Sequence, residues 1–325
     1  MLTKKRMALI TVLLAVLFFI LLLSLPEAVV GSRAENMLLF APKLLFLSVT
    51  AAITMAFILI LIFKRDFIKW QAFSFSRYKY YLWQLVKAEY LKRYRKSVLG
   101  VLWSLLNPLL TMLVMTMVFS LLFRFQIPNY PLYILSGRVI FGFFEEAAGH
   151  SMHSVIGAEA VIKKVYVPKY VYPVSQVLSS LVNILFFLLA FLAVFVITRA
   201  PFHWTVLLIP IPIIYTFVFT LGLGMLLSSM AVFFRDIVHL YGIGIMLLTY
   251  ATPLFYPVDI IPEWAMPIMG FNPIYHFLTY FRSVALDGVV PGLWQNVVCM
   301  GFALAALCCG VYVFMSQQDK YILHL

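Results

Sequence analysis

Glu146, His150 and His153 fall at i, i+4 and i+7 of one apolar run, so a helix there carries all three on a single face. A carboxylate and two imidazoles at that spacing have the chemistry to bind a metal ion, to exchange a proton, or to hold water against a polar solute. No fourth ligand accompanies them, which favours a hydrated stripe over a metal site. Ionisable groups inside a membrane span are costly, and they mark cavities and pathways. Glu145, about 100° further round the helix, has no partner that the sequence identifies.

Elsewhere, chemistry-bearing residues are sparse. Asp259, Glu263, His276 and Asp287 lie between spans without the spacing of a catalytic triad. That weighs against an integral membrane enzyme such as a glycan polymerase or acyltransferase, which remains the alternative class. No G-x-x-x-x-G-K-[ST] phosphate loop occurs in the chain, so it is not expected to cradle ATP in the usual way. An ion-coupled secondary transporter would show inverted repeats and broken helices near the midplane, and neither pattern is visible.

The elements that must position these residues are apolar helices. Hydrophobic residues make up 64% of the chain, charged residues 11%, and mean hydropathy is +1.01. A soluble domain averages about 45–50% apolar and about 25% charged. The expected fold class is an all-α polytopic membrane protein. Runs of about 20 apolar residues, enough to cross a bilayer, occur near 7–25, 44–63, 101–123, 132–156, 173–198, 205–233, 238–255 and 293–315. They do not alternate with period two, so eight helices are expected and a barrel is not.

Charge placement orients them. With both termini inside, all but six of the 24 basic residues fall on the cytoplasmic side. The six exceptions are Arg33, Lys43, Arg124, Arg138, Arg199 and Arg282. The net charge of +12 then reflects topology and attraction to anionic lipid, and no nucleic-acid partner is expected. Lys4-Lys5-Arg6 precedes a run too long for a signal-peptide core, with no small-x-small site after it, so a retained helix is expected. Cys299, Cys308 and Cys309 all lie in the last span, which implies no extracellular disulfide framework.

Three blocks follow: a transmembrane hairpin over 1–63, a basic amphipathic segment over 64–100, and a six-span domain over 101–325. In the middle block Trp83, Val86, Tyr90 and Tyr94 recur at helical spacing, with Lys87, Lys92, Arg93, Arg95 and Lys96 around them. Such a helix lies flat among lipid headgroups, with aromatic rings at the apolar boundary and cations reaching for phosphate. The loop from Gly157 to Pro173 carries Glu159, Lys163, Lys164 and Lys169, and a short helix is expected to end near Val167, before Pro168. The stretch from Thr252 to Gly288 holds five prolines yet is apolar and aromatic. Irregular backbone at membrane depth must be buried in protein or line a cavity, so short helices that dip back and cover a pathway are expected.

Six collinear stretches resemble the permease subunits of ABC-2 exporters for polysaccharides and polyol phosphates, the family of O-antigen and teichoic-acid exporters. They are Tyr94–Arg124, Pro128–Gly137, Ile162–Lys169 with Tyr172-Pro173, Phe233–Ile237, Thr252–Pro257, and Asn272-Pro273 with Arg282, within residues 78–320. The chain departs from the family in its first 63 residues. It departs again at Arg138–Gly142, where Pro-Trp-Asn is usual after the Ser-Gly pair.

The resemblance implies a six-span core with an amphipathic interface helix over 79–97 and re-entrant outer helices. It implies a homodimer in the bacterial cytoplasmic (inner) membrane, each copy bound to a cytoplasmic ABC ATPase that carries ATP and Mg, with no cofactor in this chain. It implies an undecaprenyl-linked glycan or polyol phosphate as cargo. By the same resemblance, Glu159, Ile162, Lys163, Lys164, Val165, Tyr166 and Pro168 belong to a coupling helix that docks into the ATPase. Trp83, Lys87, Tyr90, Lys92, Arg93, Arg95 and Lys96 belong to the interface helix that admits substrate. Phe255–Leu286 is similar to the gate region. Aromatic faces suit the C–H faces of sugars, so Trp103, Phe119, Phe123, Tyr250, Phe255 and Tyr256 join Glu146, His150 and His153 as candidates for the glycan path.

Overall fold

The computed structural model describes residues 65–94, 99–122, 127–165 and 167–324. Two compact units divide the chain after Tyr78, and most described residues belong to the second. The expected hairpin over 1–63 lies outside the described residues, as do Arg95, Lys96, Phe123, Tyr166 and the side chain of Arg93. Among the described residues regular structure is helical throughout, with no strand.

Helix α1 runs Arg65–Tyr94 and α2 runs Leu102–Leu122. Next comes a rod of 28 residues in three parts: α3 (Tyr130–Gly137), a π-helical turn (Arg138–Gly142) and α4 (Phe143–Gly157). One-turn helix α5 (Glu159–Ile162) leads to α6 (Val171–Ile197) and α7 (Pro210–Phe233). Helix α8 (Ile237–Ala251) precedes the proline-rich segment, which holds α9 (Met266–Gly270) and α10 (Pro273–Ala285). The chain closes with α11 (Leu293–Gln317) and α12 (Tyr321–His324).

Four stretches are long and apolar enough to cross a bilayer: Leu102–Ser120, Val171–Ile197, Trp204–Phe233 and Leu293–His324. Two other expected spans differ from expectation for identifiable reasons. The 28-residue rod is about 40 Å long at 1.5 Å per residue, ample to cross, but Arg138, Glu145 and Glu146 make it less apolar. Helix α8 has only 15 residues, because Pro253 forces Thr252 into extended backbone and ends it short of residue 255.

The rod is deeply packed within the second unit. Leu132, Ile134, Leu135, Val139, Ile140, Ala147, Ala148 and Val155 are wholly buried, and Phe141, Phe143 and Phe144 nearly so. Its aromatic rings interlock with neighbours: Phe144 meets Phe219 of α7 at 5.9 Å, and Phe219 meets Phe277 of α10 at 5.6 Å. Helices α7 and α11 cross so closely that a Cβ on Gly310 would fall inside the backbone of Gly222, and one on Gly222 inside that of Ala306. Without water to drive association, small residues let helix backbones pack at this range.

Candidate functional site

The π-helical turn coincides with the stretch that departs from the family pattern, Arg138–Gly142. Inserted residues of this kind shift the phase of the helix beyond them and recur at functional sites. Below the turn, Glu146 Oε1 accepts a hydrogen bond from Asn183 Nδ2 of α6 at 2.8 Å. His150 Nδ1 stands 4.0 Å from the same oxygen, while His153 is exposed. Among the described residues no three acid, imidazole or thiol groups approach closely enough to hold a metal ion. The carboxylate therefore bridges two helices on one side and stands near the exposed His150 imidazole on the other. Glu145 is paired after all: Arg138 Nη1 lies 3.7 Å from its Oε2, and Tyr241 of α8 donates to its carbonyl at 2.8 Å.

Most of the candidate aromatic residues gather at the other end of the rod. Phe119 of α2 stacks on Phe255 at 5.5 Å with planes 20° apart. The Tyr256 hydroxyl donates to the Tyr250 carbonyl at 2.7 Å. Trp103 does not join them, because it sits 16 residues, about 24 Å, from Phe119 along α2.

Side chains of α3 fasten this cluster. Tyr130 donates to the Phe255 carbonyl and Tyr133 to that of Tyr256, the latter at 2.7 Å. Helix α10 starts where the Asn272 side chain accepts from the backbone N–H of Ile274 and Tyr275, with Pro273 at the first helical position. The same Asn272 donates from Nδ2 to Thr252 Oγ1 at 2.8 Å, closing the segment on itself. Arg282, expected among the basic residues of the outer loops and span ends, is 8% exposed and bonded to α3. Its long-range partners left no signal in the sequence beyond its membership of a family motif.

The Glu159–Pro168 loop has a different character. Regular helix stops at Ile162, five residues before the expected end, although Val165 N–H still bonds the Val161 carbonyl. Ile162 is buried, whereas Lys163, Lys164 and Val165 are exposed and Pro168 is half-buried. Lys163 Nζ meets Glu159 Oε1 at 2.6 Å. That bond, with the lysine charge, holds the Glu159 carboxyl below its usual pKa, and Arg235 adds to the effect. Lys169 anchors the far end, donating to the Gln318 carbonyl and lying 5.7 Å over the Tyr321 ring.

On α1 the packed stripe is Leu82 and Val86, 6% and 4% exposed, with Tyr90 half-buried. Trp83, expected on that stripe, is 64% exposed, because it stands about 100° round from Leu82. Lys87 and Lys92 are exposed. Trp83 and Lys79 edge an apolar groove of about 800 Å³ between α1, α6 and α7.

Known proteins share this arrangement of sequence. The model of the ABC-2 type transporter family matches residues 80–286. An O-antigen export system permease protein RfbA of Klebsiella pneumoniae is 35% identical over 233 residues, 70% of this chain and 88% of that protein. A protein of the same name from Myxococcus xanthus is 29% identical over 250 residues, 75% of this chain and 95% of its own length. The polysialic acid transport protein KpsM of Escherichia coli is more distant, 21% identical over 247 residues, 71% of this chain and 90% of that protein. With most of its described helices inside the matched region, this multi-pass membrane chain belongs to the ABC-2 type transporter family.

Proposed function

We propose that this chain is the permease subunit of an ATP-driven exporter that carries a lipid-linked polysaccharide or polyol phosphate across the cytoplasmic membrane. The observation that carries the reading is the aromatic group at the start of the proline-rich segment, where Phe255 stacks on Phe119 and the Tyr256 hydroxyl bonds the Tyr250 carbonyl. Aromatic faces bind sugar rings weakly and repeatedly, and a polymer slides only when each site releases it readily. The export and transport functions in the names of the relatives point to the same cargo class.

Six spans make up the core on this reading: the four long apolar stretches, the Tyr130–Gly157 rod and α8. Both termini are cytoplasmic, and the proline-rich segment re-enters from the outer side. Two copies enclose the path. Helix α8 has no buried residue, and only 6% of the apolar window of α2 is buried within the chain, against 44% for α6. Faces so bare within one chain are suited to a second copy. The Glu159–Pro168 loop docks on a separate ATPase dimer, which supplies ATP and Mg chemistry that this chain has no phosphate loop to perform. The interface helix meets the lipid-phosphate end of the cargo with Lys87 and Lys92.

Export from proteoliposomes holding the permease with its ATPase tests this directly. Tyr256→Ala is expected to lower glycan export several-fold while the complex still assembles. Equal loss of assembly and export would recast Tyr256 as a packing residue, and an active monomer free of any ATPase would overturn the exporter reading.

A further inference from the structure

Arg282 is a buried cation whose partners are all neutral. Its Nε donates to Ser136 Oγ at 3.0 Å, and Nη1 to the Pro253 carbonyl at 2.7 Å. Nη2 reaches the Tyr133 and Leu254 carbonyls, each at 3.2 Å. The guanidinium carbon stands 3.5 Å from the centre of the Tyr133 ring. Asp287 acts on it through space but forms no ion pair with it.

A buried charge without a counter-ion survives only when every donor is satisfied and its desolvation is offset by the surrounding dipoles. The planar fork of arginine meets several acceptors in one plane at once, which a lysine ammonium cannot reproduce. Two of the four acceptors, Pro253 and Leu254, directly precede Phe255 and Tyr256. The other two, Tyr133 and Ser136, lie on α3, most of whose residues are buried. Among the described residues the guanidinium thus joins the start of the proline-rich segment, α3 and α10 at one point.

We infer that Arg282 is the positioning residue of this cap, which rests on reading the 252–287 segment as the cover of the export path. Its guanidinium sets where Phe255 and Tyr256 stand. Release of the Pro253 and Leu254 carbonyls lets the segment move off Phe119 and Tyr250 without unfolding the rod beneath. The Tyr130 hydroxyl adds one bond to the same closure and the Tyr133 hydroxyl two, to the Tyr256 and Pro253 carbonyls.

The test uses the whole permease–ATPase complex with a reporter cysteine at Leu254, 2% exposed in the closed segment, in a Cys309→Ala background. Labelling by a membrane-impermeant maleimide then reads opening, independently of transport. Arg282→Gln is expected to raise the labelling rate about tenfold, since a hydrogen bond to a charged group is worth at least that factor. Arg282→Lys keeps the charge but loses the fork, so it is expected to open the segment nearly as far and to lower maximal export. Ser136→Ala removes one bond to the guanidinium and is expected to raise labelling about two- to threefold, whereas Tyr133→Phe removes only the hydroxyl's own bonds to the segment and leaves the Tyr133 carbonyl on Arg282.

Labelling that stays at the Leu254→Cys rate in Arg282→Gln overturns the inference, even if thermal stability falls. Should Arg282→Gln fail to assemble, flat labelling in both Ser136→Ala and Arg282→Lys overturns it as well. A parent complex that moves no glycan sinks the exporter reading alone, because labelling still decides the role of Arg282.

Discussion

The proline-rich segment and the Glu159–Pro168 loop are both short interruptions between helices, yet they are held in opposite ways. The segment is fastened by long-range bonds to α3 and by the Asn272–Thr252 clasp. The loop buries Ile162 and is anchored by Lys169, but it turns Lys163, Lys164 and Val165 outward. A region stitched to the core by so many bonds resists displacement. A region that leaves cations and an apolar edge exposed offers, on the function proposed above, a surface for the ATPase. On that reading the contrast is one of resistance against reception.

Substitution at the α7–α11 crossing should have the largest effect, because it disturbs the frame under both regions. Gly310→Leu would drive a side chain into the Gly222 backbone. Overpacking of this kind costs about 3 kcal/mol or more, so little folded complex should be recovered in detergent. A normal yield and melting temperature would mean that the crossing is not what supports the contrast.

Within the segment, Asn272→Ala removes a helix cap and the clasp to Thr252 together. A loss of about 1–2 kcal/mol is expected, visible as a lower melting temperature and faster proteolysis after residue 252. If the same substitution at Lys164 costs as much, the difference between the regions disappears.

For the loop the expected effect lies in coupling rather than stability. Lys163→Glu with Lys164→Glu should leave the melting temperature of the permease unchanged while weakening ATPase docking and substrate-stimulated hydrolysis. Unchanged hydrolysis would remove the receptive role from this loop.

The smallest effect is expected at Glu159. Its folded-state pKa is lowered by Lys163, so the pairing contributes above the ordinary carboxylate range and is lost as pH falls through the lowered value. The pair is exposed, and exposed pairs contribute little. Glu159→Gln should therefore leave the melting temperature unaltered at neutral pH and slightly flatten its fall in acid. A large neutral-pH change would show that the loop is stitched down like the segment.

Parts of this were legible from sequence alone. Asn272-Pro273 announces a helix start, and Asn272 does cap α10. Phe119, Phe255, Tyr256 and Tyr250 could be named from sequence as candidates for a glycan path, but not the stacking of Phe119 on Phe255 or the bond from the Tyr256 hydroxyl to the Tyr250 carbonyl. The partner of Glu145 was within reach too, since Arg138 lies seven residues earlier on nearly the same helix face. It was masked because an arginine at a span end reads first as an orienting charge. The early stop of the short helix at Ile162 was less accessible: Pro168 limits where a helix can run, but not how soon it ends.

What the chain determines by itself is the solvent it folds in. Apolar runs must close their own backbone hydrogen bonds in lipid, so helices follow from composition and length, and the charge bias and collinear motifs place them in one family. Tertiary structure decided which polar groups meet. Asn183 joins Glu146 across 37 residues and Arg282 reaches Tyr133 across 149. Helical periodicity says which face a side chain occupies but not which distant face will be pressed against it. That choice comes from packing, where the rod and the small-residue crossing leave one arrangement in which those buried donors find their acceptors.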